Sequence, residues 1–407
     1  MRILHTSDWH LGRTFHGASL LDEQADVVDR VVALTAEHQV DLVVIAGDLF
    51  DRAIPPAPAV DLFDHALARL HASGARVAAI SGNHDSAVRV GVNDRLLNEM
   101  GVAVRGQVGR IAEPLVVTDP ADGGPPVAVY LVPYLEPSID GPLLETLAAS
   151  VPAAAGPARA GEAPGRPKRA THDQATRLAA AAIHQHLATL GPARSVVVAH
   201  TFVAGGMVSE SERDLSVGGV ERVAVDAFAG FDLVALGHLH QAQALDGDRV
   251  AYSGTPLPYS FSEENQVKSV RIVDLATDGS VTAETIPLGV GRPLRTITGT
   301  LQDLLEDPSL EAALGARIRA RLTDPHLPNQ AMARLRQRFP HAVELRHEPP
   351  GTDAGSAPTT IDLTTLEASS PLDLALRFWA EQQGAEATAP ERDLLERAIA
   401  ANISEQR

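Results

Sequence analysis

Asp, Asn and His are hard-to-borderline ligands for divalent cations, and in this chain they gather in five short clusters. Asp8 and His10 follow ILHTS. Asp48 and Asp51 follow LVVIAG. Asn83, His84 and Asp85 follow VAAISG. His200 closes VVVAH, and His238 and His240 follow LVALG. Each cluster ends an apolar, β-rich run, and a run that stops in Gly plus polar residues reads as a buried strand opening into a loop. In open α/β sheets, ligands sit beyond the carboxyl ends of such strands. Five distant segments are therefore expected to aim their side chains at one point. Without thiolates, such a set favours six-coordinate ions such as Mn²⁺ over a structural zinc. A carboxylate can bridge two cations through its two oxygens, and Asp48 is the natural candidate. Two ions about 3.5–4 Å apart can bind a phosphoryl oxygen, lower the pKa of a water between them and offset charge that develops in the transition state.

The elements that must position these residues alternate in kind. Strands are expected near 2–7, 41–46, 75–81 and 127–132, with amphipathic helices at 20–38 and 58–73. This βαβ rhythm implies a mostly parallel core sheet. Residues 150–172 are rich in Ala, Gly and Pro without periodicity and read as a flexible surface insertion. A helix at 174–189 follows, then strands at 195–199 and 232–236. Runs at 249–253, 268–274 and 281–286 read as a β-meander closing the second half. The first domain is placed at 1–290. Residues 291–348 mix strand and helix signals and form a small α+β unit, with helices expected at 309–315 and 328–338. A linker of turn-forming residues spans 349–363. The tail, 364–407, reads as two helices, the first starting at Ser369-Ser370-Pro371 with Leu372, Leu376 and Trp379 on one face.

Composition removes several function classes. The chain has no cysteine, so disulfides, Cys-ligated zinc and thiol nucleophiles are excluded. No apolar stretch approaches the ~18 residues that span a bilayer. The N-terminal segment lacks the apolar core of a signal peptide, so a cytoplasmic protein is expected. Net charge is −18, which opposes simple binding to a polyanion and requires a local basic patch or a partner for any nucleic-acid substrate. His5, His16, His38, His65 and His71 are expected at the surface or on helices, outside any metal site.

Taken together, Asp8-x-His10, Gly47-Asp48-x-x-Asp51, Gly82-Asn83-His84-Asp85, His200 and Gly237-His238-x-His240 resemble the calcineurin-like metallophosphoesterases in order and spacing. The sharper likeness, in HTSDWHLG (5–12), AGDLFDRAIPP (46–56), SGNHDS (81–86) and GHLHQ (237–241), is to the bacterial DNA-nuclease subunits within that superfamily. It covers about 1–290 and extends loosely to the rest. The resemblance implies an α/β fold, with β-sheets sandwiched by helices, a small α+β capping domain and a C-terminal helical tail. It implies one ion on Asp8, His10, Asp48 and His240, and another on Asp48, Asn83, His200 and His238, either Mn²⁺ or Mg²⁺. His84 would face the scissile phosphate and serve the leaving oxygen, with Asp51 orienting it. Asp85 would hold the loop together.

The same likeness implies a DNA substrate, cut as a 3′–5′ double-strand exonuclease and a single-strand and hairpin endonuclease in DNA repair, replication and recombination. It implies a partner ATPase with a long coiled coil, docked on 364–407. This chain has no G-x-x-x-x-G-K-[ST] of its own, so any ATP dependence comes from that partner. A homodimer through 58–71 and 92–100 is also implied. DNA contacts are expected from Arg13, His16, Arg52 and Arg89 beside the metal motifs. They are also expected from Arg317, Arg319 and Arg321, which alternate as if along one strand face. Two other readings of the same core are a phosphatase or cyclic-nucleotide phosphodiesterase, and a non-catalytic scaffold. GDLFDR comes close to the protein-phosphatase pattern, but Ala53 stands where that pattern has Gly and Asp85 where it has Glu. A scaffold would usually have lost at least one ligand.

Overall fold

Runs of Val, Ile, Leu and Ala that are apolar at every position, not at alternate ones, belong to strands covered on both faces. The computed structural model arranges them in two six-stranded sheets. It describes residues 1–118, 123–149, 171–212, 222–350, 370–383 and 386–405. The expected insertion, except its last two residues, and the linker from 351 on lie outside the described residues. The chain divides into two compact units, Met1–Leu294 and Arg295–Arg407.

In the first sheet, β1 (Arg2–Thr6), β4 (Leu42–Ile45), β5 (Arg76–Ile80) and β6 (Val102–Arg105) run parallel. β13 (Ser269–Leu275) and β14 (Val281–Pro287) add to the β1 edge antiparallel. In the second sheet, β8 (Val127–Val132), β9 (Arg194–His200), β10 (Leu233–Gly237) and β12 (Val250–Tyr252) are parallel. There β7 (Leu115–Val117) and β11 (Gln243–Asp246) form antiparallel edges. A short hairpin, β2 (Thr14–Phe15) and β3 (Ala18–Ser19), stands apart. Ile3, Val44, Ile80, Val129, Val198, Ala235 and Val273 fill the layer between the sheets. Tyr130, Val197 and Leu236 pack on the far side of the second sheet with Ala179 and Ile183 of a long helix, His172–Thr189. A capping box between Thr171 and Gln174 starts that helix. On the first sheet, helices α1 (Leu21–Glu37) and α2 (Ala57–Ala72) lie side by side and bury Val27, Val28, Val31, Leu34, Phe63, Ala66 and Leu70.

Two expectations need correction. The runs at 249–253, 268–274 and 281–286 do not form one meander. β12 ends the second sheet, whereas β13 crosses to the first and pairs with β1. Strand-forming residues fix the period but not the sheet. His5 is also neither exposed nor helical. It is fully buried on β1 and points between the sheets beside Val44, donating from Nε2 to the Leu236 carbonyl at 3.0 Å. Burial brings its pKa down to about 3, so the ring is neutral, and Nδ1 has no partner among the described residues.

The second unit holds a three-stranded sheet of β15 (Leu294–Gly299), β16 (Arg317–Leu322) and β17 (Ala342–His347), with β16 central. Ile318, Ala320 and Leu322 pack against Leu335 and Phe339. The expected helix at 309–315 is a 3₁₀ segment, Pro308–Ala313, and the next helix begins only at Ala331 because Gln330 takes φ +52°. Arg317, Arg319 and Arg321 do alternate along β16, but Arg317 and Arg319 are buried. Arg319 Nε donates to Glu344 on the neighbouring strand at 2.7 Å. That pairing engages Arg319 within the sheet. Arg321 is half-buried, with Glu348 at 3.9 Å. In the tail, helices Pro371–Gln383 and Ala389–Glu405 contact each other, leaving Leu372 and Trp379 half-buried and Phe378 exposed.

The His5 bond ties the strand before Asp8 to the strand before His238. A His5→Leu variant should lose about 0.5–1.5 kcal/mol of stability in denaturant unfolding. An unchanged midpoint and slope would show that the inter-sheet bond contributes nothing.

Candidate metal centre

The strands that carry the five clusters end at one rim shared by both sheets. β1, β4 and β5 deliver Asp8 and His10, Asp48 and Asp51, and Asn83 and His84. From the facing sheet, β9 and β10 deliver His200, His238 and His240. The chain must turn sharply as it leaves each strand. Asp8, His10, Asp48 and His238 all have positive φ (53°, 45°, 46° and 109°). Such backbone is costly for residues with a side chain and persists only where the surroundings impose it, commonly at functional sites. Here the surroundings are main-chain bonds: Asp8 N to Gly47 O (3.0 Å), His10 N to Asp48 O (2.9 Å) and Leu11 N to Leu49 O (2.9 Å). Close approach also needs bare backbone. A Cβ on Gly82 would sit 2.1 Å from Asp48 Oδ1, and one on Gly47, at φ +91°, would sit 2.2 Å from His200 Nδ1.

The side chains bring nitrogen and oxygen atoms able to ligate a cation close together. His200 Nδ1 lies 2.9 Å from the Ala46 carbonyl, so Nδ1 carries the proton and Nε2 holds a lone pair. That lone pair faces Asn83 Oδ1 at 3.0 Å and Asp48 Oδ2 at 3.6 Å. Asn83 Oδ1 also lies 3.1 Å from His238 Nδ1. On the other side, His10 Nε2 is 3.6 Å from the same Asp48 Oδ2 and 3.4 Å from His240 Nε2. Asp48 Oδ2 therefore stands equally far from two imidazole nitrogens. The ligating atoms of Asp8, His10 and His240 lie within 4.8 Å of one another, as do those of Asp8, Asp48 and His200, and those of His10, Asp48 and His84. Carboxylate, amide and imidazole atoms gathered this closely suit hard-to-borderline cations, so the donor set fits divalent ions.

Electrostatics agree. Burial, reinforced for His10 and His238 by neighbouring histidines, holds His10 and His238 well below the ordinary imidazole range and also lowers His200 and His240. The rings are neutral and able to ligate. Burial and the Asp48 carboxylate push Asp8 well up. The same causes, burial first, bring Asp85 up to about 8, against three N–H donors that favour its charged form. Carboxylates gathered in this way need positive charge beside them.

The catalytic candidates have distinct anchors. His84 N donates to Asp48 Oδ1 at 2.8 Å, and His84 Nδ1 donates to the main-chain oxygen of Asp51 at 3.0 Å. Its ring sits edge-on to His10, with centroids 4.7 Å apart. Asp51 thus orients His84 through its carbonyl and not through its carboxylate. The carboxylate accepts from Arg13 at 3.0 Å and lies 3.8 Å from His10 Nδ1. Asp85 binds the amides of Leu49, Phe50 and Gly82, each at 2.9 Å, and fastens the second loop to the third. Arg13 is committed to Asp51 and lies over the Tyr259 ring. Arg52, Arg89 and His16 are exposed, His16 in the left-handed turn of the β2–β3 hairpin.

Sequence reasoning missed the supports. Gln24 of α1 receives Gly12 N and donates to the carbonyls of Trp9 and His10, gripping the first loop. Tyr259 also donates to the Trp9 carbonyl, at 2.5 Å. Ser211, Glu212, Glu263 and Lys268 gather around His240. Ser211 and Glu212 sit in a polar run, SESE, and Glu263 in SEE, with no periodicity to mark them. The scarcity of lysine, at Lys168 and Lys268 alone, was the one available hint.

This centre at the rim of a two-sheet sandwich defines a calcineurin-like phosphoesterase, and residues 1–120 match that family. Residues 290–383 match the type 5 capsule protein repressor C-terminal domain. The chain belongs to the SbcD family, the nuclease components of SbcCD. It is 36% identical over 299 residues to the SbcD of Bacillus subtilis (strain 168), covering 72% of this chain and 71% of the relative. It is 27% identical over 411 residues to that of Staphylococcus saprophyticus, covering 100% and 99%. Its enzyme class is that of the metal-dependent nucleases. Among solved structures, TT1561 of Thermus thermophilus is only loosely similar, with 13% identity, 70% of this chain and 98% of that one covered, and a TM-score of 0.37. Among the described residues, no helix is long and apolar enough to cross a membrane.

Asp48→Asn keeps an acceptor for His84 N but removes a charge from the carboxylate cluster. The metal-free variant should melt no lower than wild type, while the rise in Tm on adding Mn²⁺ is lost. A normal Mn²⁺-dependent rise would show that Asp48 is not needed to hold the ions.

Proposed function

We propose that the chain is the Mn²⁺-dependent DNA nuclease subunit of an SbcCD complex. It would hydrolyse phosphodiester bonds as a 3′–5′ double-strand exonuclease and as a single-strand and hairpin endonuclease, in cytoplasmic DNA repair, replication and recombination. The observation that carries this reading is the position of Asp48 Oδ2, 3.6 Å from His10 Nε2 and 3.6 Å from His200 Nε2. One carboxylate oxygen so placed suits a bridge between two ions. Asp8, His10, Asp48 and His240 would hold one, and Asp48, Asn83, His200 and His238 the other. When bound, such ions supply Lewis acidity toward a phosphoryl oxygen and an acidified water.

The protein's own groups do the rest. His84 has its Nδ1 proton fixed on Asp51 O, which leaves Nε2 to carry and release a proton to the leaving oxygen. Asp51, through Arg13 and His10, keeps that loop in register. Exposed Arg52, Arg89 and His16 are the basic groups proposed to meet DNA phosphates. A net charge of −18 makes them insufficient alone, which fits a nuclease that relies on a DNA-clamping partner. In this reading residues 1–290 catalyse, 291–348 cap the DNA and 364–407 dock on the ATPase SbcC. The apolar groove between the 58–71 and 92–100 segments, with Val60, Val92, Leu96 and Met100 exposed, supports a homodimer within an SbcC₂–SbcD₂ assembly.

The test is hydrolysis of labelled duplex and hairpin DNA in Mn²⁺ by wild type and His84→Gln, each with and without SbcC and ATP. The variant should lose about 10²–10⁴-fold in rate while binding as much Mn²⁺ as wild type. Turnover of small phosphodiesters without any DNA cleavage, even with SbcC, would move the assignment to another phosphodiesterase.

A further inference from the structure

Two imidazoles of the centre, His200 and His240, are held in different ways. His200 is fixed by a main-chain carbonyl, Ala46 O. His240 is fixed by side chains. Its Nδ1 lies 2.5 Å from Ser211 Oγ, and the same hydroxyl donates to Glu263 Oε1. A hydroxyl has one proton to give. Having given it to Glu263, Ser211 must accept from His240, so Nδ1 bears the ring proton and Nε2 holds the lone pair facing His10. Glu263 is buried, 1% exposed, and its other oxygen lies 2.5 Å from Lys268 Nζ. Lys268 Nζ, which has three protons to share among its neighbours, also lies 3.1 Å from the carbonyl of His240 itself, 2.8 Å from Thr255 Oγ1 and 2.9 Å from Gln266 Oε1. One ammonium thus grips both ends of the chain of bonds: the carboxylate that orders the serine and the backbone of the histidine.

We propose that Ser211, Glu263 and Lys268 form a positioning relay that locks the ring of His240 and sets the affinity of one ion site, the one built on Asp8, His10 and His240, independently of the other. This rests on the two-ion reading of the centre. Asn83, His200 and His238 make none of these contacts among the described residues, and Ala46 O holds His200 whatever happens to the relay. The two sites therefore differ in how they can be weakened. Partners that orient a ligating histidine are typically worth 10–100-fold in metal affinity.

The experiment is a Mn²⁺ titration of the metal-free full chain, followed by calorimetry and by electron paramagnetic resonance of free Mn²⁺. Wild type, Ser211→Ala, Ser211→Thr and Glu263→Gln are compared. Wild type should take up two ions. Ser211→Ala and Glu263→Gln should weaken one of them about 10–100-fold and leave the other unchanged, while Ser211→Thr, which keeps the hydroxyl, retains both. The serine pair keeps the test decisive if Glu263→Gln does not fold. Equal weakening of both ions, or of neither, overturns the relay. A wild type that binds fewer than two ions overturns the two-ion reading and the relay with it.

Discussion

One carboxylate oxygen, Asp48 Oδ2, lies 3.6 Å from the Nε2 atoms of both His10 and His200, and much of the first unit serves to keep it there. Neutral imidazoles and carboxylates packed in this way repel one another in a dry interior. They are held by a frame that was formed for other reasons. Two sheets bury continuous Val, Ile and Ala runs against each other, and the sandwich brings the ends of five strands to one rim. The hydrophobic layer thus supplies the stability, and the polar rim uses some of it.

The use is visible in the backbone. Positive φ at Asp8, His10, Asp48 and His238 places strain at the strand-to-loop turns. Interlocked loop bonds keep those turns from relaxing. Asp85 collects three amides from two loops, Gln24 clasps the first loop, and His5 links the two sheets beneath it. Substitutions at these supports would act on metal affinity and on stability together.

Much of this was legible in the sequence, because strand periodicity followed by Gly and a polar cluster is a local signal. Asp8, His10, Asp48, Asn83, His200, His238 and His240 could be gathered from it before any coordinates. What stayed hidden was set by packing between distant segments. Nothing local says that β13 leaves one sheet for the other, or that His5 points inward to a carbonyl 231 residues away. Arginines at alternate positions look the same whether they face solvent or, like Arg319, a glutamate on the next strand. Asp51 is read from the sequence as orienting His84, but the sequence does not say that its carbonyl is the group that reaches the ring. Main-chain roles leave no mark on residue type.

The most direct measurement of the central claim is anomalous diffraction at the manganese edge from crystals grown in Mn²⁺. Two peaks about 3.5–4 Å apart, one on each side of Asp48 Oδ2, are the predicted result. A single peak, or a pair that does not share Asp48, would contradict the account.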